Sequence, residues 1–494
     1  MIALVCSLFA CTSAPSGHTT PALEAGEDYF TLPAGQHLQL AAELEAWSAN
    51  SNLLLWLVDD DPQLYLLENY ASPSPRQYST PAPLSAEVIC LSEAADGIQN
   101  VFLGDGDGVL MHYWLWLERE GIVMREVRQL WTNPDVESCW IKDQSLVIEN
   151  GPLGQTAYTL DEEQDPVLSR GARNPLVRHA KHPTVQPVFE TDPVQSSGDA
   201  ADDPVILNQG KHSWIVGTDK QWGLHAYDLT GAVVASIPRG RLNNVDAVPR
   251  GNNFLLAASN RSERTIDLFI ANPSRQTLKF SSSIGIDVND PYGLCMGIRD
   301  DNVVIFVGGT DGEVQYWQLA DHHENGTLVR TFNFASQTEG CVYDQVNDAL
   351  FVGEEAVGIW RIDLKSYQRE LTLAVDGELL VADVEGLDIC TAGDHRVLLA
   401  SSQGDDSYVA WPLDDTFTPL KFRITADPRQ GIDGASETDG LACHTASIGN
   451  FERGLLIVQD GRNRAPADRQ NYKAVNWIDL ERLLLQQHQA GNLN

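Results

Sequence analysis

Short apolar runs broken by polar, glycine-rich turns dominate this chain. The stretches "SWIVGTD", "LLAASN", "NVVIFVGG", "ALFVGEE", "RVLLASSQ" and "GLLIVQD" have strand length and end where a chain turns back. Helical periodicity is scarce, its best case being the terminal "WIDLERLLLQQ". Many short strands at regular intervals suggest a propeller, a sandwich or a barrel.

A recurrent motif decides among these. An acidic or amide residue, often followed by glycine, precedes an apolar run at "ADDPVI" (Asp203), "NNVDAV" (Asp246), "PYGLC" (Tyr292), "TEGCV" (Glu339), "VEGLDI" (Glu385) and "TDGLAC" (Asp439). The spacing, roughly 43 to 54 residues, is that of a unit of about four strands, the signature of a propeller blade. Six such units fill residues 190 to 494 and predict an all-β fold with a six-bladed β-propeller.

The first half repeats this pattern at lower fidelity. "VRQLWTNPDVESCW" (127–140) parallels "VRTFNFASQTEGCV" (329–342), and "DGVLMHYW" (107–114) parallels "DGEVQYW" (311–317). Residues 28–165 therefore read as a partial, degenerate propeller-like β domain of about three blades, too few to close a ring. Asn150 stands where Glu355 would be, so the acidic set has decayed there, and this half reads as a structural or docking remnant. The resulting division is a leader over 1–27, the partial domain over 28–165, a linker over 166–187 and the full propeller over 188–494.

Charge changes the picture of function. At 494 residues the chain is long enough for two domains, and its 69 acidic against 33 basic residues give a formal net charge of -36. Hydrophobic content of 43% is ordinary for a folded protein, so the acidity belongs to surfaces. It argues against nucleic acid as a partner, because phosphate backbones need Lys and Arg. It also disfavours any polyanionic substrate unless cations intervene.

Yet the acids are placed with a pattern. In "SQTEGCVYDQVNDALFVGEEAVGIW" (336–360), Glu339 precedes one apolar run, and Glu354 and Glu355 close another. The innermost strand of every propeller blade starts at the same rim of the central channel, so one motif per blade converges on one patch. Carboxylates this close repel and raise one another's pKa unless a cation neutralises them. Oxygen ligands with no His or thiol among them point to Ca²⁺.

Cys6 and Cys11 belong to an apolar N-terminal stretch that reads as a signal peptide, and "LFAC" resembles a bacterial lipobox that would make Cys11 a lipid anchor. The chain is accordingly expected to be exported, as an envelope lipoprotein or secreted, and no later segment is long and apolar enough to be transmembrane. The other six cysteines are an even set suited to an oxidising compartment. Cys90/Cys139, Cys295/Cys341 and Cys390/Cys443 are each about one blade apart and begin neighbouring inner strands, which predicts three disulfides.

At these motifs the sequence resembles the β-propeller phytases, Ca²⁺-dependent phosphatases acting on inositol hexakisphosphate. The matching stretches are "GDAADDP" (198–204), "GRLNNVD" (240–246), "AASNRS" (257–262), "SQTEG" (336–340), "VEGL" with "LLASSQG" (384–387, 398–404), "DGASETDG" (433–440), and "VQDG" with "QNYK" (458–461, 470–473). The first half resembles the incomplete extra domain of dual-domain members. The resemblance implies several Ca²⁺ ions at the top of the channel, with Glu190, Asp202, Glu339, Glu355, Asp383, Glu385, Gln403 and Asp439 as ligands. Asp203 and Asp433 would serve Ca²⁺ sites that stabilise the fold. Lys220, Arg261 and Tyr292 match residues that contact substrate phosphates, and with Glu339, Glu355 and Asp383 they would carry catalysis. Two positions depart from better-known members: Gln221 replaces a second lysine after "GTDK", and Thr310, also facing substrate, replaces a lysine before "DGE".

The implied activity is that of a 3-phytase. Ca²⁺-bound water would attack a phosphate monoester of phytate, bound as its calcium complex, giving phosphate and lower inositol phosphates without a phosphoenzyme. Two other readings stand beside it: another calcium-dependent propeller hydrolase, such as a lactonase, and a non-catalytic binding propeller at the cell surface. Lys220 and Arg261, basic groups poised for phosphate, argue against the first, and the intact acidic set beside Lys220 argues against the second.

Overall fold

The computed structural model describes residues 23–491 except 27, 59–62, 84–85, 94–97, 105, 119–120, 133, 135, 137, 143–144, 150–154, 160–166, 169–181, 320–324, 415–417, 428 and 465–467. Cys6, Cys11, Asn150 and most of the 166–187 linker lie outside the described residues. The chain divides into two units, residues 1–181 and 182–494.

In the second unit six antiparallel sheets follow one another along the chain: blade I over 201–238, blade II over 242–285, blade III over 291–333, blade IV over 338–374, blade V over 384–424 and blade VI over 441–476. The first strand of each lies against that of the next, and the last against the first, so the ring is closed. Closure borrows chain from upstream. Pro187–Glu190 adds the outer strand of blade VI, antiparallel to Asn471–Asn476, and Thr184–Val185 adds a fifth, parallel strand to blade V. Backbone hydrogen bonds thereby tie the two ends of the ring together and cover an exposed edge.

The apolar runs legible in the sequence are all second strands. Trp214–Asp219, Ala349–Glu354 and Leu455–Asp460 are buried at every residue, because neighbouring blades cover both of their faces. Outer strands such as Gly326–Asn333 and Arg369–Ala374 are mostly exposed, with Leu328, Val329 and Leu371 among their exposed side chains. The expected terminal helix is Trp477–Gly491, which buries Trp477, Leu480 and Leu484 against Val397, Leu399 and Leu456 of blades V and VI.

Where five of the first strands start, their pairing with the second strand slips. The slips fall between Ala201 and Pro204, Leu242 and Val245, Pro291 and Leu294, Thr338 and Cys341, and Val384 and Leu387. A bulge of this kind re-aims a side chain that regular pleating would turn elsewhere. The pairs it holds are Asp202-Asp203, Asn243-Asn244, Tyr292-Gly293, Glu339-Gly340 and Glu385-Gly386, and Asp439-Gly440 takes the same place before Leu441. The repeat read from sequence is thus corrected at two points: Asp202 and Asn243 are the equivalent residues, and Asp203 and Asp246 are not. The glycine has a packing cause. A Cβ on Gly340 would overlap the Glu385 carbonyl oxygen of the next blade, and one on Gly293 would overlap that of Glu339.

The first unit opens with a three-stranded meander, Glu24–Ala25, Tyr29–Thr31 and His37–Gln39. Three four-stranded sheets follow over 44–81, 88–131 and 138–168, with their first strands side by side. All three disulfides pair as blade spacing predicts: Cys90–Cys139, Cys295–Cys341 and Cys390–Cys443, with Cα atoms 5.6, 5.6 and 6.1 Å apart. Each joins the first strands of neighbouring sheets.

Candidate metal and phosphate site

In each propeller blade two equivalent positions stand at the same end of the sheet. One comes from the bulge: Asp202, Asn243, Tyr292, Glu339, Glu385 and Asp439 in blade order. The other follows the second strand: Lys220, Arg261, Thr310, Glu355, Gln403 and Gly461. A shared backbone bond fixes the second set. The N–H groups of Lys220, Arg261, Glu355 and Gln403 donate to the carbonyls of Ala200, Arg241, Gln337 and Asp383, at 2.7, 2.8, 3.2 and 3.0 Å. Blades I and II therefore supply cations, and blades IV to VI supply most of the acids.

Glu339, Glu355 and Glu385 each bring a carboxylate oxygen within 4.8 Å of the others. Asp202 is wholly buried, and Glu339, Glu385 and Asp439 are 5–6% exposed. Both oxygens of Asp202, Oε1 of Glu355 and Oε2 of Glu385 are buried without a hydrogen-bond donor. Such groups are costly to leave unmatched. Burial raises Glu339 and Glu385 well above the ordinary carboxylate range, and their like-charged neighbours, Glu385 for the one and Asp439 for the other, add to it. Glu355 is pushed up to about 7 by burial and then by Asp383, and Asp439 to about 6 chiefly by burial. An all-carboxylate donor set with orphaned oxygens fits a hard divalent cation such as Ca²⁺.

Adjacent Glu354 and Glu355 do opposite jobs. Glu354 accepts from the backbone N–H groups of Ala335 and Ser336, the Ser336 hydroxyl and the Trp360 indole, at 2.8–2.9 Å, and so ties blade IV together. Glu355, one residue on, turns to the mouth. Asp383 joins it just before the first strand of blade V, and Gln403 Nε2 donates to Asp439 Oδ1 at 2.6 Å.

The cations stand opposite. Lys220 Nζ lies 2.8 Å from Asp199, 3.0 Å from Asp439 and 3.6 Å from Asp202. Burial works to lower its pKa, but these acids outweigh it and hold the ammonium charged. Arg261 is clamped by Asp290 through Nε (3.0 Å) and Nη2 (2.6 Å), donates to Asn243 Oδ1 at 3.2 Å, and lies 4.7 Å from the Tyr292 ring centroid. Gln221, exposed, reaches the carbonyls of Ser197 and Asp199.

Three expected ligands lie apart from these contacts. Asp203 Oδ2 accepts the N–H of Val245 at 3.1 Å, a bond between blades I and II. Glu190 and Asp433 share the buried ammonium of Lys473, at 2.5 and 2.6 Å, with Asp460 at 3.1 Å and Asn463 at 3.2 Å. Glu190 thus keeps company with Asp433 through a lysine, on the strand that closes the ring. Sequence reading missed Asn243, Asp290, Asp199 and Lys473. Asn243 was recoverable, since aligning the motifs on their apolar residues instead of their acids brings it into line.

The family model described as Phytase matches residues 168–490. The chain is also similar to the 3-phytase of Bacillus subtilis (strain 168), 34% identical over 331 residues, which make up 62% of this chain and 86% of that protein.

Proposed function

This chain belongs to the phytase family and is a hydrolase of phosphoric monoesters acting on phytate, and from that premise we propose a calcium-dependent reaction carried by the mouth of its propeller channel. The observation that supports it most is the set of buried carboxylates with orphaned oxygens beside two fixed cations. Asp202, Glu339, Glu355, Asp383, Glu385, Gln403 and Asp439 would hold the metal. Calcium bound there supplies positive charge for phosphoryl oxygens and for the attacking water.

The chain's own residues do the rest. The Lys220 ammonium is paired with Asp199, Asp202 and Asp439. Asp202 and Asp439 would also be ligands of the metal, and Lys220, standing beside them, would take a phosphate oxygen. Arg261, oriented by Asp290, presents its remaining N–H groups to a second oxygen, where a planar guanidinium suits phosphate. Tyr292 packs beneath it, and Thr310 offers a hydroxyl in blade III at the place corresponding to Lys220 and Arg261. Fixed donors of this kind stabilise charge as it develops on transferring oxygens, with no reorganisation at the moment of reaction. Asp203, Asp433 and Glu190 serve the fold in this reading. The three disulfides fit an exported chain.

Phosphate release from phytate, followed across a calcium series and with a chelator, tests the proposal. Release should rise with calcium and fall to background on chelation. Release that ignores the chelator would remove calcium from the mechanism.

A further inference from the structure

We propose that Asn243 is a positioning residue that ties Arg261 to Glu339, so that the phosphate-facing and metal-facing halves of the mouth are set together. The inference rests on the reading of the mouth given above. Asn243 is 0% exposed and occupies the bulge of blade II, where blades I, IV, V and VI carry acids. Its Nδ2 donates to Glu339 Oε1 at 2.9 Å and to Asn244 Oδ1 at 3.0 Å, and its Oδ1 accepts from Arg261 Nη1 at 3.2 Å. Two acceptors on one side and a donor on the other admit a single orientation of the amide. Glu339 belongs to blade IV, so the bond crosses the mouth past blade III.

The residue type follows from these partners. An amide donates to a carboxylate and accepts from a guanidinium at once, whereas a carboxylate cannot donate and an ammonium cannot accept. A fifth acid in this ring would also add repulsion to a cluster already short of countercharge. Asn243 engages one oxygen of Glu339 and leaves the other for a cation. It also meets the one guanidinium nitrogen that Asp290 leaves unengaged, so Arg261 is held by both neighbours of its planar head. A shift of Glu339 on metal binding is thereby passed to Arg261 through one buried side chain.

The test uses the whole chain. Calcium affinity is measured by calorimetric titration of the chelator-stripped protein, and KM for phytate is measured at saturating calcium. Asn243→Ala should raise KM about tenfold, the worth of one well-placed hydrogen bond to a charged group, and weaken calcium binding by a similar factor. In an Arg261→Ala background the same change should add nothing to KM, because the group it positions is gone. In a Glu339→Gln background it should add nothing to the loss of calcium affinity. Asn243→Ser, which keeps a small polar group in the bulge but reaches neither partner, replaces the alanine variant if that variant does not fold. Unchanged KM and calcium affinity, or full additivity with both partner substitutions, would overturn the role of Asn243. If Arg261→Ala alone leaves KM unchanged and Glu339→Gln alone leaves calcium binding unchanged, the reading of the mouth has failed and this inference falls with it.

Discussion

The two β units of this chain share a disulfide plan and differ where their first strands begin. Cys90–Cys139 and Cys295–Cys341 both join the first strands of neighbouring sheets, with the same Cα separation of 5.6 Å. In the first unit the sheet over 44–81 keeps one such slip, between Leu44 and Ala46, but Val88–Glu93 pairs with Gln99–Gly104, and Ser138–Lys142 with Ser145–Glu149, without any slip. In the propeller five first strands slip at their start, and each slip holds a residue of the mouth. Ser138 stands where the propeller has Gly340, and its hydroxyl meets Glu149 at 3.2 Å. The sheet of Ser138 is the last of its unit, with no following first strand of that unit among the described residues. The packing plan of a blade therefore survives without the bulge. Among the described residues, acids are drawn together as a possible metal-holding group only in the propeller, at Glu339, Glu355 and Glu385.

The largest effect should come from the acids that only the propeller places. Glu355→Ala or Asp383→Ala is expected to lower kcat by about 10²–10³-fold, the usual loss when a principal source of transition-state charge is removed. The fold should persist, as judged by circular dichroism. Full turnover in either variant would place the reaction elsewhere.

Next comes the bulge itself. Gly340→Ala must push the Glu385 backbone away, and overpacking of this kind costs about 1–3 kcal/mol. Thermal melting should show a lowered transition, with calcium binding weakened because Glu385 moves. Ser138→Ala, the same position in the first unit, should shift melting by no more than about 1 kcal/mol. Equal effects at the two positions would mean that the bulge is not what separates the units.

The smallest effects concern pH, and they should run in opposite directions. Burial pushes the Asp388 carboxyl, on the first strand of blade V, from 3.8 up to about 7. Burial, helped by Arg128, brings His112 in the first unit from 6.5 down to about 4. The folded aspartate binds its proton before the unfolded one as pH falls, so its penalty is full above about 7 and gone near 4. The folded histidine resists protonation, so its penalty begins below about 6.5 and is full near 4. Asp388→Asn should thus raise the melting temperature at about pH 8 and not at about pH 4. His112→Gln should raise it at about pH 4 and not at about pH 8. Shifts independent of pH in either variant would contradict the assignment.

Much of this architecture was legible in the chain. Second strands announce themselves because both faces are covered, so Val303–Val307 or Leu455–Val458 must be apolar throughout. Blade count followed from the motif spacing, and the disulfides from the place of each cysteine within it. Outer strands such as Val233–Pro238 were silent, since one face meets water and their residues answer to no core. The strands that close the ring, Thr184–Val185 and Pro187–Glu190, are too short to carry a periodic signal.

Composition and repeat spacing determined that this protein would be a ring of blades with acids gathered at one rim, because burial and chain turning leave regular marks along a sequence. How each of these residues is held and turned was decided by tertiary structure. A slip in pairing holds Asp202 and Asn243 at the mouth, while Asp203 bonds the next blade and Asp246 sits further along its strand; Glu355 follows the end of a second strand, while its neighbour Glu354 ties a loop. Side-chain direction in a strand reverses with every residue, so register, and not residue type, settles the chemistry.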